Sequence, residues 1–404
     1  MSAIRIASRV TRIKPSPSST ASDRANALKR EGKSIINLVV GEPDFDTPPA
    51  ICQAACEAIN RGETRYTQNN GTPALRAAIA AKFARENRLT VAADDIIVTN
   101  GAKSAIFNAF AATLETGDEV LIPAPYWVSY PDMVLACDGR PLIITCQEAA
   151  GFRLTPEQLR ASITSRCRWL LLNSPSNPTG ATYSRAELRA LADVLLDYPH
   201  LAIMTDDIYE HIRYDGSENV HLLEVEPRLA DRTLVVNGVS KTYAMTGWRI
   251  GYAAGPKALI AAMGTLQSQS TSNASSVSQA AALAALNSGT EFISHSREIY
   301  RQRRDAMAAA LNAIPGLHCQ LPDGAFYLYV NCAGLLGKTT ATGQVLKSDT
   351  EVVLWLLESA GVAVVAGSAY GLSPYFRLSI ATDLATLQAG AAQIATAVAT
   401  LNSY

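Results

Sequence analysis

From Asp94 onward the chain alternates short runs of β-branched and apolar residues with longer stretches whose apolar positions recur at helical spacing. The runs 96–99, 119–122, 141–145, 169–172, 202–205, 233–236 and 250–253 predict seven strands, and stretches such as 105–114 and 186–196 predict helices between them. Strands that read as nearly continuous apolar runs are buried on both faces, so the pattern predicts an α/β fold with a mostly parallel sheet covered by helices.

Past Gly289 the pattern changes. Residues 290–313 predict one long charged helix, followed by a strand at 325–330, a helix at 350–360, strands at 362–365 and 376–380, and an Ala-rich helix from Leu384. This is the signature of a smaller α+β domain. The segment 8–38, helix-like at 21–31, has no sheet strand beside it and is expected to pack back on that second unit. The predicted division is an arm and part of the small domain at 1–45, a large domain at 46–289 and the rest of the small domain at 290–404. The Gly-, Thr- and Lys-rich stretch 338–348 reads as an exposed loop.

Composition narrows the class. A chain of 404 residues exceeds one small core, which fits a main domain of roughly 250 residues with a smaller one beside it. The 35 Lys and Arg balance 36 Asp and Glu to a net charge of −1, without the basic surplus of a nucleic-acid binder. Seven scattered cysteines with no CxxC pair argue against a disulfide framework and a zinc site, and fit a reducing cytoplasm. The five histidines form no ligand spacing, so no metal site is expected. The opening residues carry Arg5, Arg9 and Arg12 but no run long enough for a signal peptide or membrane span. They read as a soluble arm, with an Arg-rich transit peptide as the alternative.

Candidate chemistry lies at the predicted strand ends. Lys241, in Asn237-Gly238-Val239-Ser240-Lys241, follows a buried-looking strand and small residues that leave room for a bulky ligand. A partly desolvated lysine amine condenses readily with an aldehyde, because burial disfavours the ammonium. Taken alone, Lys241 reads more readily as an ordinary surface lysine, and only its context overturns that reading. Asp206 closes a strand at the carboxyl edge, where open α/β sheets bind ligands. It could pair with a pyridinium nitrogen, keeping the ring an electron sink, or serve as a helix N-cap, for which Asp207 is the better candidate. Tyr209, three residues on, and Asn177, in a loop at 173–180 that two X-Pro bonds are expected to hold extended, could both reach the phenolic oxygen of such a ring. A turn-forming role is the alternative for Asn177.

Gly101, Ala102 and Lys103 stand between a strand and a helix, so their backbone N–H groups would meet a phosphate at the helix N-terminus, with Ser240 and Arg249 completing the cradle. The run matches neither GxGxxG nor GxxxxGK, which leaves a nucleotide little support. Trp127 begins the next predicted helix along the same edge and could stack on the ring or belong to the core. Arg377 interrupts an apolar strand, where its fork could clamp a carboxylate or meet a neighbouring acid.

Together, Gly41-Glu42-Pro43-Asp44-Phe45, Tyr126-Trp127-Val128-Ser129-Tyr130, 173–180, Asp206 with Tyr209, the Ser240-Lys241 to Gly251 segment and Phe376-Arg377 resemble the class I aminotransferases across nearly the whole chain. Through Arg12-Ile13-Lys14-Pro15-Ser16, Ala244-Met245-Thr246-Gly247-Trp248-Arg249 and Gly324-Ala325-Phe326-Tyr327, the sequence is most similar to the bacterial aspartate/prephenate branch. That resemblance implies a fold-type I homodimer that binds pyridoxal 5'-phosphate, with Lys241 joined to its aldehyde. It implies that the enzyme passes an amino group from an amino acid to a 2-oxo acid in two half-reactions. It further implies that Tyr66 reaches the partner's cofactor phosphate, that Gly41 offers backbone contact to the substrate carboxylate and that Arg377 clamps it. The resemblance implies as well that Trp127 and Asn177 border the substrate.

Two positions depart from the branch. Ala102 stands where it often has a second glycine, and Ser18-Ser19-Thr20-Ala21 replaces more apolar arm residues near the substrate. Lys14 is the candidate for a distal carboxylate, with a solvated arm lysine as the alternative. Other outcomes of the same chemistry are a carbon–sulfur lyase or an oxidative or cyclising enzyme. An aminotransferase-like ligand sensor is a further class, but the residues before Gly41 are too few for a DNA-binding head.

Overall fold

The computed structural model describes residues 4–214, 216 and 219–402. Its strands in chain order are β1 (Ile36–Asn37), β2 (Ile96–Thr99), β3 (Glu119–Ala124), β4 (Arg140–Thr145), β5 (Cys167–Asn173), β6 (Ala202–Asp206), β7 (Thr233–Gly238), β8 (Gly251–Ala254), β9 (His318–Cys319), β10 (Tyr327–Asn331), β11 (Val362–Ala363), β12 (Val365–Ala366) and β13 (Tyr375–Ser379). Seven of these form one sheet in the order β2-β8-β7-β6-β5-β3-β4, in which β8 alone runs antiparallel to both neighbours. β2 and β7 are buried along their whole length, while the edge strand β4 is half exposed.

Helices cover both faces. Ala102–Thr113 packs with Lys257–Ser268 over a core that includes Phe110, Trp169 and Met263, and Arg185–Leu196 covers the opposite face with Leu188, Leu191 and Leu195. Because β5 and β6 are parallel and in register at their ends, Asn173 stands beside Asp206 at one edge of the sheet. β7 ends two residues further along and delivers Lys241 to the same edge.

A second sheet, β12-β13-β10-β9, is antiparallel and backed by Glu291–Asn312 and Leu384–Val398. β1 pairs parallel with β11, and the helix Pro17–Arg30 packs on β11 and β12. The loop after β5 meets the turn before β10 through bare backbone. The Gly324 N–H donates to the Gly180 carbonyl at 2.9 Å, and a Cβ on Gly180 would lie 2.3 Å from the Gly324 oxygen. Gly180 also adopts φ +68°, which favours glycine.

Several expectations are corrected. No helix follows β6: the chain turns, Asp207 accepts from the Thr205 hydroxyl at 3.1 Å, and neither Asp206 nor Asp207 caps a helix. The 173–180 loop is folded rather than extended, with the Gly180 N–H donating to Ser176 at 2.8 Å and the Ser176 N–H to Ala181 at 3.0 Å. The predicted strand at 362–365 divides between two sheets. The arm helix begins at Pro17 rather than at residue 21, since proline suits the first helical turn. The 338–348 stretch is tied down by bridges from Thr339 to Val345 and Asn402, and it buries Thr340 and Leu346. Trp127 stands in the turn before the helix Ser129–Ala136, outside the helix itself.

Candidate active site

A cavity of about 230 Å³ opens at the carboxyl edge of the large sheet, between it and the second sheet. Lys241 reaches it from the turn after β7, and the Nζ donates to the Gly41 carbonyl at 2.6 Å. Burial pushes the ammonium down to about 8, helped by the Arg249 and Arg377 charges and opposed by Glu42 and Asp206. An amine in that range is largely available as a nucleophile at mildly alkaline pH.

Asp206 is 3% exposed, and burial raises its carboxyl to about 6. The Tyr130 phenol, donating to Oδ2 at 2.6 Å, and the Ile208 N–H, donating to Oδ1 at 3.3 Å, oppose that rise. The site thus holds a buried anion whose charge a cationic ring nitrogen would stabilise. The Tyr209 hydroxyl lies 2.8 Å from the Tyr327 hydroxyl, and burial raises its phenol well above the ordinary value. Asn177 accepts from Arg377 through Oδ1 at 3.1 Å, which leaves its amide nitrogen as the donor side.

Arg377 is 2% exposed on β13. The Nη2 donates to the Val39 carbonyl at 2.6 Å, the guanidinium lies 4.2 Å from the Tyr327 ring centroid, and the buried Nε has no partner. Among the described residues no carboxylate lies within ion-pair distance, so the alternative of a structural salt bridge is not met. A buried, unpaired guanidinium facing a cavity is an anion site in waiting.

The opposite end is built for a second anion. The helix Ala102–Thr113 starts at Gly101 without a side-chain cap, so its first N–H groups face the cavity. Arg249 lies against this terminus, donating to the Thr246 and Asn100 carbonyls at 2.9 and 3.3 Å. A Cβ on Gly101, which has φ +83°, would lie 2.3 Å from Arg249 Nη2, and one on Gly251 would lie 2.1 Å from the Ala102 nitrogen. The close approach of strand, helix start and guanidinium therefore depends on two glycines. Ala102 itself lines the cavity. Lys103 places its ammonium 4.8 Å from the Trp127 ring centroid, and burial followed by the Arg249 charge lowers its pKa.

Gly41, Trp127 and Ser240 also line the cavity, whereas Lys14 and Tyr66 do not. Lys14 is exposed, with its backbone N–H on Asp132, and Tyr66 is 92% exposed. Arm residues Ser16 and Ser18 take the position given to Lys14, and the Ser18 hydroxyl lies 3.5 Å from that of Tyr370. Sequence reasoning gave no role to Tyr130 or Tyr327. Tyr130 lies 76 residues from Asp206, and only its place three residues after Trp127 hints that both share a face. Glu86, Glu210 and His211 converge closely enough to suggest a metal, but Lys82 donates to Glu210 and lies 3.7 Å from Glu86, so the cluster already holds a cation.

Residues 33–394 match the family model for aminotransferase class I and II. The chain is 55% identical over 391 residues to an aspartate aminotransferase of Rhizobium meliloti, covering 97% of this chain and 95% of the relative. It is 51% identical to the aspartate/prephenate aminotransferase of Cereibacter sphaeroides, covering 95% and 96%. A crystal structure of the aspartate aminotransferase from Rhizobium meliloti superposes with a TM-score of 0.97 at 54% identity, covering 99% and 100%. That of the Thermus thermophilus aspartate aminotransferase with maleate does so with a TM-score of 0.91 at 40% identity, covering 98% and 100%.

Proposed function

This chain belongs to the class I and II aminotransferases, and we propose that it moves the amino group between aspartate and 2-oxoglutarate using pyridoxal 5'-phosphate, with prephenate or an aromatic oxo acid as a further acceptor. The observation that carries this reading is the convergence of Lys241, Asp206 and Arg377 on one cavity. Aminotransferase names on relatives at 55% and 51% identity disfavour a lyase or a ligand sensor.

The donor set fits the cofactor. The uncapped helix start at Ala102, Ser240 and Arg249 would hold its phosphate, Asp206 its ring nitrogen, and Tyr209 and Asn177 its phenolic oxygen, with Trp127 over the ring. When bound, the ring supplies an electron sink beside the substrate Cα. Asp206, ionised above about 6, would pair with the ring nitrogen and hold its proton there, since a buried carboxylate gains most from a cationic neighbour. Lys241 would hold the cofactor's aldehyde, and as a free amine it would accept the proton from the substrate Cα. Arg377 and the Gly41 N–H would orient the α-carboxylate in the cavity that Lys241 also lines.

The Thermus thermophilus relative is seen with maleate, a dicarboxylate, which supports an acidic substrate here. Lys14 on the arm and Lys103 beside Trp127 are the two candidates for the distal carboxylate. The exposed Tyr66 ring fits a homodimer in which it reaches the partner's phosphate. Residues 46–289 then form the cofactor domain, with 1–45 and 290–404 as the smaller one. No described helix is long and apolar enough to cross a membrane, and a cytoplasmic location fits the free cysteines.

The test is a donor and acceptor screen on the purified protein. Aspartate with 2-oxoglutarate should yield oxaloacetate and glutamate, and a β-substituted amino acid should yield no pyruvate and ammonia. Failure of every donor to pass its amino group to an oxo acid would overturn the proposal.

A further inference from the structure

Next to the cavity, but outside its lining, lies a buried polar cluster that the proposed chemistry does not use. Glu210 is 4% exposed and follows Tyr209 directly. Its Oε1 accepts from the Lys82 ammonium and from Asn237 Nδ2 at 2.6 Å. Its Oε2 accepts from Asn87 Nδ2 at 2.6 Å and Asn219 Nδ2 at 3.1 Å. Four donors from three separate segments, the helix Pro73–Asn87, the loop at Asn219 and β7, saturate one carboxylate. Burial alone would keep it protonated, but Lys82 and these donors hold it ionised, at about 2.

The partners explain where that carboxylate acts. Asn237 is the penultimate residue of β7, its Oδ1 accepts the Gly238 N–H at 2.7 Å, and the chain then turns to Lys241. One residue beyond Glu210, His211 Nδ1 lies 3.0 Å from the Thr242 hydroxyl and Nε2 lies 2.9 Å from Glu86. A carboxylate only accepts, so a neutral His211 donates to Glu86 through Nε2 and accepts from Thr242 through Nδ1. The turn bearing Asp206 and Tyr209 is therefore tied to the turn bearing Lys241 at two points, on either side of the amine.

We propose that Glu210 is a positioning residue, which, with Lys82 as its fixed counter-ion and Asn237 as its link, sets the distance between the Lys241 amine and the Asp206–Tyr209 turn. The role rests on the functional reading above, since it presumes that Lys241 must meet a ligand held by Asp206 and Tyr209. A charge pair this buried is poorly explained as a stabiliser alone, because well-packed apolar residues would serve as well or better. Its geometry joins the two segments that carry the chemistry.

The test uses the full-length chain freed of cofactor, with the Lys241 amine labelled at low conversion by an amine-reactive reagent across pH and read by peptide mass spectrometry. Glu210→Gln leaves donors facing donors and frees the Lys241 turn. The labelling midpoint, expected near 8 in the wild type because the amine is buried, should then rise by about one pH unit toward the value of an exposed lysine. In the reconstituted enzyme kcat should fall roughly 100-fold, with KM for the amino donor little changed because Arg377 lies on another element. Lys82→Met combined with Glu210→Gln removes both charges, restores the melting temperature and keeps the raised midpoint. A double variant with wild-type midpoint and kcat would overturn the proposal and leave Glu210 a structural ion pair. A wild type without amino transfer would instead sink the functional reading and leave the labelling comparison intact.

Discussion

The Tyr130 phenol donates to Asp206 Oδ2 across 2.6 Å, joining the short helix after Trp127 to the end of β6. Asp206 is buried, and this bond is the principal interaction opposing the rise of its pKa. Tyr130→Phe keeps the ring and removes the bond. Hydrogen bonds to charged groups are worth about 1.5–3 kcal/mol, so kcat at neutral pH should fall roughly tenfold or more. The acid limb of the kcat profile should also move to higher pH, as steady-state assays across pH would read.

Asp206 should also trade stability for function. Its folded value of about 6 lies above the unfolded 3.8, so between those values the native state keeps a proton that the unfolded chain has lost. Stability therefore falls as pH rises through that window, by at most about 3 kcal/mol. In the cofactor-free protein, Asp206→Asn should melt at a higher temperature than the wild type at pH 8, and the gain should vanish near pH 3. Amino transfer should drop by at least about 100-fold. Equal melting temperatures at both pH values would contradict this account.

Much of this arrangement is legible in the sequence, for a physical reason. Strands buried on both faces leave near-continuous apolar runs, and a parallel sheet sends its carboxyl ends to one edge. The pattern thus places Asp206, Asn177 and Lys241 together at that edge. Contacts set by loop packing leave no such trace. The folded turn at 173–180 and the division of 362–365 between sheets depend on what each segment meets in space. So does the missing helix after β6, where Asp207 bonds to its own strand. Lys14 illustrates the same limit: its place on the arm was readable, but its side chain lies outside the cavity that Ser16 and Ser18 line.

Gly101→Ala should weaken cofactor binding while leaving the fold intact. The new Cβ meets Arg249 Nη2 at 2.3 Å at a φ of +83°, a conformation that costs a side-chain residue about 1–3 kcal/mol. Equilibrium dialysis against pyridoxal phosphate should give a Kd raised about tenfold or more. An unchanged Kd would place the phosphate elsewhere.

Arg377→Lys keeps the charge but loses the planar fork. With Asn177 and Val39 already taking part of its hydrogen bonding, the remaining face is what a carboxylate would use. kcat/KM should fall roughly 100-fold for acidic and aromatic donors alike, because every amino acid carries the same α-carboxylate. A loss confined to acidic donors would move Arg377 to the distal end. Lys14→Ala and Lys103→Ala, by contrast, should lower turnover of aspartate while sparing aromatic donors for whichever lysine meets the distal group.

The central claim is that Lys241 carries the cofactor, and borohydride reduction of the protein with pyridoxal phosphate tests it most directly. Peptide mass spectrometry of the reduced protein should find the reduced adduct on the Lys241 peptide at close to one per chain, and Lys241→Ala should lose both the adduct and the visible absorbance. A stoichiometric adduct on another lysine, or a Lys241→Ala variant that keeps its colour and its amino transfer, would contradict the account.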